Sequence, residues 1–144
     1  MLTWRISNYA DIAGTGGRHN AGRWNQLGTP IVYCAEHPAL SMLEMLVHVD
    51  LIDLPGTFQL LEIEVPDYIV PVEPELPENW RDDRQITRNL FENFCAEAKS
   101  PLMTVPSVVM PHAFNHLINP RHTDAASITI KSAVRHPIDQ RFLG

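Results

Sequence analysis

The chain has 144 residues, 44% of them hydrophobic and 19% charged, with a formal net charge of −6. That length suits one domain with its own core, and the composition excludes a disordered chain. The acidic balance, concentrated in residues 62–83, argues against a nucleic-acid surface, which needs a clustered basic face.

Leu2–Ile6 alternates and predicts an opening strand, with Trp4 and Ile6 on one face and Arg5 on the other. Residues 8–28 turn to Gly, Asn and Thr without periodicity, which predicts a long loop, mobile when empty and able to close over a ligand. Its Gly14-Thr-Gly-Gly17 run lacks the Gly-Lys-Ser/Thr ending of a triphosphate loop and the spacing of a dinucleotide fingerprint. The loop carries an Arg23-Trp24-Asn25 triplet, and a short β-branched run then ends on Tyr33.

Residues 38–49 predict a helix with Pro38 in its first turn, where a missing N–H costs nothing. It is apolar nearly all round and so predicted to be buried. The exceptions, Ser41, Glu44 and His48, fall on one stripe at i, i+3, i+7. A carboxylate on such a helix needs a polar cleft or a buried partner such as Arg23.

Residues 58–65 predict a strand, Leu61, Ile63 and Val65 alternating with Glu62 and Glu64. The proline-rich stretch 66–79 reads as an extended surface connection with one short strand near residues 68–70. Residues 84–99 predict a second helix with Ile86, Leu90, Phe91, Phe94 and Ala98 inward and Arg84, Arg88 and Glu92 in solvent. Residues 102–110 predict a strand interrupted at Pro106, which marks an edge, a bulge or a kink. Residues 114–120 read as a helical turn or loop stopped by Asn119-Pro120, and residues 127–134 as a final strand. The tail, 135–144, is free to pair at an edge. The class is α+β, with a mixed, strongly twisted sheet and flanking helices, organised as a single domain over residues 1–144.

Several chemistries are poorly supported. His112 and His116 stand at i, i+4, but without a metalloprotease motif and beside Pro111, so no metal site is assigned. Cys34 and Cys95 lack ligand-like spacing and read as reduced thiols in or near the core. No Gly-x-Ser-x-Gly elbow is present. Ser107, after a proline on a kinked strand, is placed either to aim a hydroxyl or to satisfy local backbone. With no leader-like segment and no run of about 18 apolar residues, a cytoplasmic protein is expected.

Five ordered motifs, GRWNQLGTPIVY, LEMLVH, LLEIEVP, VPSVVMP and LINPRHTDA, resemble the RES-domain toxins, the partners of Xre-type antitoxins. The likeness runs from Trp4 to about Ile130. It implies an ADP-ribosyltransferase-like fold that consumes NAD as substrate, with no separate cofactor. The family's Arg, Glu and Ser fall on Arg23, Glu44 and Ser107, and its strand-end tyrosine on Tyr33. On this reading Glu44, Arg23 and Tyr33 are catalytic, while Arg23, Tyr33, Ser107 and Asn119 bind substrate.

Glu44 is expected to hydrogen-bond the ribose and stabilise an oxocarbenium-like state. Arg23 offers a planar fork to the pyrophosphate, and can also hold Glu44 ionised. Tyr33 has two readings, stacking on nicotinamide or orienting Glu44 through its hydroxyl. Ser107 would fix the amide or a ribose hydroxyl. The structural alternatives are an Arg23–Glu44 ion pair that holds the fold, and Tyr33 as a core ring. The implied function is a toxin that cleaves the nicotinamide–ribose bond with water or phosphate as acceptor. The alternatives are transfer of ADP-ribose to a protein and a non-catalytic binding module. The implied partner is an Xre-like antitoxin whose C-terminal segment enters the cleft, with a homodimer allowed within that complex. No direct nucleic-acid or membrane contact is expected.

Overall fold

The computed structural model describes residues 1–144, with the side chain of Leu51 left out. Its frame is a six-stranded sheet of β1 (Leu2–Ile6), β2 (Val32–Ala35), β3 (Thr57–Glu64), β4 (Leu102–Pro106), β5 (Phe114–Ile118) and β6 (Thr129–Pro137). The spatial order is β4-β5-β2-β1-β3-β6. The expectation of a mixed sheet is corrected, because every pairing between these strands is antiparallel. The parallel contact that does occur is an isolated bridge, Val72 to Met103, on the outer side of β4. It replaces the short strand expected near residues 68–70, where Tyr68 and Val70 are exposed. Among the described residues, no helix is long and apolar enough to cross a membrane.

The alternation read in β3 is realised, since Leu61, Ile63 and Val65 are fully buried. They share a core cluster with Val32 and Cys34 of β2, Leu102 of β4 and Ile118 of β5. One face of each half of the sheet therefore packs into a common core. A second cluster on the other side joins Trp24, Trp80, Met103, Val105 and Leu117 to Phe91 and Phe94 of α3 (Arg84–Glu97).

Pro106 closes β4, which is an edge strand, as a proline there requires. The segment read as a helical turn or loop before Asn119-Pro120 is instead β5, lying between β4 and β2. Its alternation was obscured because two of its inward positions are polar. His116 Nδ1 bonds Thr104 Oγ1 at 3.0 Å, and Asn115 faces the cleft described below. The final strand also starts later and runs longer than expected, taking the first part of the tail onto β3.

The ladder between β1 and β2 is confined to Trp4 opposite Ala35. Beyond that rung the strands part. A carbonyl that loses its strand partner must find another donor. Here the Arg5 guanidinium supplies it, Nη1 donating to Tyr33 O at 2.9 Å. The parting leaves a gap in the middle of the sheet, and α2 (Pro38–Leu46) lies beside it on β1 and β2.

Candidate functional site

A cleft of about 700 Å³ opens where β1 and β2 separate. Arg23, Tyr33 and Glu44 all line it, together with Arg5, Arg84 and Asn115.

Glu44 arrives on α2. Pro38 stands in the first turn of this helix and the His37 side chain caps it, Nδ1 accepting from Ala39 N. The helix is shorter and less buried than its composition suggests. It ends at Leu46, only Leu40 and Ser41 are buried, and Val47 is exposed. The polar stripe nevertheless behaves as the spacing predicts. Ser41, Glu44 and His48 all face the cleft, although His48 lies past the helix end. Ser41 Oγ also donates to Trp4 O at 3.0 Å, tying α2 to β1.

The Glu44 carboxylate is held at one oxygen. Oε1 accepts from Ser107 Oγ at 3.0 Å and from Asn115 Nδ2 at 2.8 Å. No described residue bonds Oε2. Ser107 is buried directly after β4 and accepts from the N–H groups of Val109 and Met110, each at 3.1 Å. A hydroxyl has two acceptor sites and one hydrogen. With both acceptor sites filled, the hydrogen can go only to Glu44. Ser107 thus serves the carboxylate and its own hairpin, both roles the sequence left open, rather than standing in the cleft wall.

Arg23 sits on a loop far more built than its composition implies. The stretch 8–28 contains a short helix, α1 (Thr15–His19), packs Ile12 against the core and buries Gly17. Asn25 is the hub of this loop. It is buried, and its Nδ2 lies within hydrogen-bond reach of the carbonyls of Gly17, Asn20, Gln26 and Thr29. Its Oδ1 accepts from Gly22 N at 2.9 Å and from Tyr33 Oη at 2.6 Å. Gly22 is required here, because a Cβ would lie 2.5 Å from Tyr33 Oη.

The Tyr33 hydroxyl also accepts from Trp24 N at 3.1 Å. It points at the Arg23 loop and makes no bond to Glu44, so orientation of Glu44 through this hydroxyl is not what the structure shows. Burial pushes its pKa up to about 12, so the phenol keeps its proton.

α3 holds the same loop from outside. Arg88 Nε donates to Gly22 O at 2.9 Å, Thr87 Oγ1 donates to Arg23 O, and Thr29 Oγ1 donates to Glu92 Oε1. The expectation that Arg84, Arg88 and Glu92 form a solvated face is therefore corrected. Arg88 and Glu92 bind the loop, and the exposed Arg84 lines the cleft. The loop's Trp24 ring packs on Trp80 with centroids 5.9 Å apart, and Arg81 covers Trp80 at 4.5 Å.

The Arg23 guanidinium itself donates only to Arg81 O, at 3.1 Å. Among the described residues no ion pair joins it to Glu44. Burial and then the nearby Arg84 lower its pKa from the ordinary value, with Glu44 pulling the other way. Two guanidinium groups that line one cleft, neither in an ion pair among the described residues, favour an anion arriving from solution.

Asn119 is not in this cleft. It is buried at the end of β5, where its Oδ1 accepts from Arg121 N, and it borders a second cavity of about 680 Å³ that also touches Cys95 and His122. The motif around it is tied to the end of α3 and to its own turn. His122 Nε2 bonds Ala98 O, the left-handed residue that ends α3, and His122 Nδ1 accepts from Asp124 N. The cysteines are free, Cys34 buried and Cys95 half-buried, with pKa values raised by burial to about 12 and about 11. His112 lies in the hairpin loop at φ 63 and His116 in β5, so the two do not form a helical ligand pair.

The sequence brought Arg23, Tyr33, Glu44 and Ser107 forward, and the structure gathers them. It adds Asn25, Asn115, Arg5 and Arg84. Asn25 had a signal, as part of the triplet with Arg23. The other three had none beyond residue type.

The RES domain family matches residues 2–139. The chain is 45% identical to Toxin Res of Pseudomonas putida, over 91% of this chain and 92% of that one. It is 34% identical to the Prs ADP-ribosylating toxin of a Sphingobium strain, over 97% and 95% respectively. Toxin Res of Yersinia enterocolitica is 35% identical over 85% of this chain and 86% of its own.

Proposed function

The chain belongs to the RES-domain family, and on that premise we propose that its cleft breaks the nicotinamide–ribose bond of NAD, with water or phosphate as acceptor. One observation carries the reading. A single carboxylate, tied at one oxygen and open at the other, stands in a cleft whose arginines are Arg5, Arg23 and Arg84.

Nicotinamide leaves a pyridinium as a neutral molecule, so departure needs no acid. The ribose left behind develops positive charge, as in glycoside cleavage. Glu44 Oε2 is the group to meet that charge, and its second oxygen is already fixed, so little reorganises during the step. Arg23 and Arg84 supply planar forks for the pyrophosphate. Tyr33 holds the Arg23 loop with its hydroxyl and lines the cleft. The parting of the sheet beside these groups supports an ADP-ribosyltransferase-like architecture, formed by one RES domain over residues 1–144.

The relatives' names support a toxin role, and an enzyme that drains cytoplasmic NAD needs a restraining partner. We assign that role to an Xre-like antitoxin whose C-terminal carboxylate pairs with the cleft arginines. Deleting that tail should restore NAD consumption even where the proteins still associate, and equal inhibition without it would overturn the assignment.

A second reading, transfer of ADP-ribose to a protein, is favoured by the similarity to a protein named for ADP-ribosylating Prs. Both readings begin with the same bond. Incubating purified protein with NAD alone, with added phosphate and with cell lysate separates them by product mass. ADP-ribose, its phosphate ester or a modified protein identifies the acceptor. NAD left intact in all three would overturn both.

A further inference from the structure

Asn115 is a polar residue in the sheet interior, satisfied at one end only. It rises from β5 opposite Ala35 of β2 and Val105 of β4, and it lines the cleft. Its Nδ2 donates to Glu44 Oε1 at 2.8 Å, while its Oδ1 is buried and finds no donor among the described residues. A buried acceptor without a donor is costly, and structural asparagines avoid it; Asn25 in the same molecule bonds through both ends.

Turning the amide over would not relieve the cost. It would set Oδ1 against Glu44 Oε1, acceptor against acceptor. The carboxylate therefore dictates which way Asn115 points, and Asn115 gives up its other bond to point that way. Ala35, the residue paired with Asn115 on β2, lines the same cleft.

We propose that Asn115 is the positioning residue of the reaction. Together with Ser107 it ties down Glu44 Oε1, so that Oε2 is presented to the ribose in one orientation. The proposal rests on the reading of Glu44 as the group that meets the ribose cation. Asn115 touches no reacting atom and acts through Glu44.

The test uses Asn115→Leu, which keeps the volume and removes both amide ends, with Asn115→Ser as a second variant should leucine fit poorly. Nicotinamide release should show kcat lowered about 10-fold, less than the ~10² typical of losing a direct electrostatic contact. KM for NAD should stay within about 3-fold, because ground-state contacts are untouched. The leucine variant should melt no lower than the wild type, since it also removes the orphaned oxygen. A kcat equal to wild type, a rise confined to KM, or a fall in activity matched by a fall in melting temperature in both variants would each overturn the proposal.

A readout independent of turnover separates this inference from the function it rests on. In a ¹⁵N correlation spectrum the Asn115 side-chain amide should show one proton shifted downfield by the carboxylate, and Glu44→Ala should abolish that shift. If wild-type protein leaves NAD intact but the shift depends on Glu44, the functional reading falls and the positioning stands. A side-chain signal that ignores Glu44→Ala overturns the positioning whatever the enzyme does.

Discussion

Glu44 and Arg23, two charged groups that line the cleft, are held in different ways. Glu44 is gripped by its own carboxylate, through Ser107 and Asn115 on the β4–β5 hairpin. Arg23 is gripped by its backbone. Its carbonyl is bonded by Thr87, the carbonyl before it by Arg88, and its loop by Asn25, while the guanidinium keeps a single bond to Arg81 O. The difference matches the role proposed above for each group. A carboxylate that stabilises developing charge gains from being immobile before the reaction. A guanidinium that must receive a flexible pyrophosphate gains from a fixed root and a free end.

The sharpest way to break the comparison is at the carboxylate. Glu44→Gln keeps the size but removes the charge, and should lower kcat by ~10²-fold or more while calorimetry still detects NAD binding. Activity within a few-fold of wild type would remove Glu44 from the chemistry. On the other wall, Gly22→Ala drives a methyl into the Tyr33 hydroxyl and should displace the Arg23 loop. A misplacement near 1 Å costs up to ~10²-fold, and here it should appear in kcat and KM together. Unchanged kinetics would show that the loop tolerates a new shape.

Arg84→Gln removes a cation with no positioning bond of its own among the described residues. KM should rise about 10-fold at constant kcat, the pattern of lost uniform binding, and an effect on kcat instead would place Arg84 in the chemical step. The smallest effect on activity belongs to the second cavity. Asn119→Ala loses a turn bond, and should cost about 1 kcal/mol in a denaturation curve with NAD turnover per folded molecule unchanged. A loss of turnover there would return Asn119 to the substrate.

The sequence exposed the parts of the fold whose pattern follows from burial alone. β3 and α3 repeat at the period of their own geometry, and Pro106 announces an edge, whereas in β1 the buried position is Thr3 and the apolar Trp4 and Ile6 are half-buried. β5 escaped because its polar positions answer to the site and to Thr104, so the alternation that marks a strand is interrupted. Arg84, Arg88 and Glu92 misled for another reason. Helical periodicity separates an apolar face from a polar one but is silent about what the polar face meets, which here is a loop some sixty residues earlier in the chain. The candidate site divides in the same way. Glu44 stood out as a charge on an apolar helix, and Arg23 and Ser107 through the motifs around them. Asn25 bonds within its own neighbourhood and stands in the triplet with Arg23. Asn115 instead acts through a hydrogen bond to Glu44, far earlier in the chain, and nothing local marks a residue for that.

The crowding around the Ser107 hydroxyl has a consequence for its reactivity. A serine beside a glutamate invites comparison with an activated nucleophile, but a nucleophile needs a lone pair free to attack. Both of Ser107's are occupied by backbone N–H groups of its own hairpin, and the residue is buried. Fluorophosphonates and sulfonyl fluorides, which label serines with an open lone pair, should pass this one by. The ADP-ribosyl group should likewise never be found on it, even if the protein modifies itself.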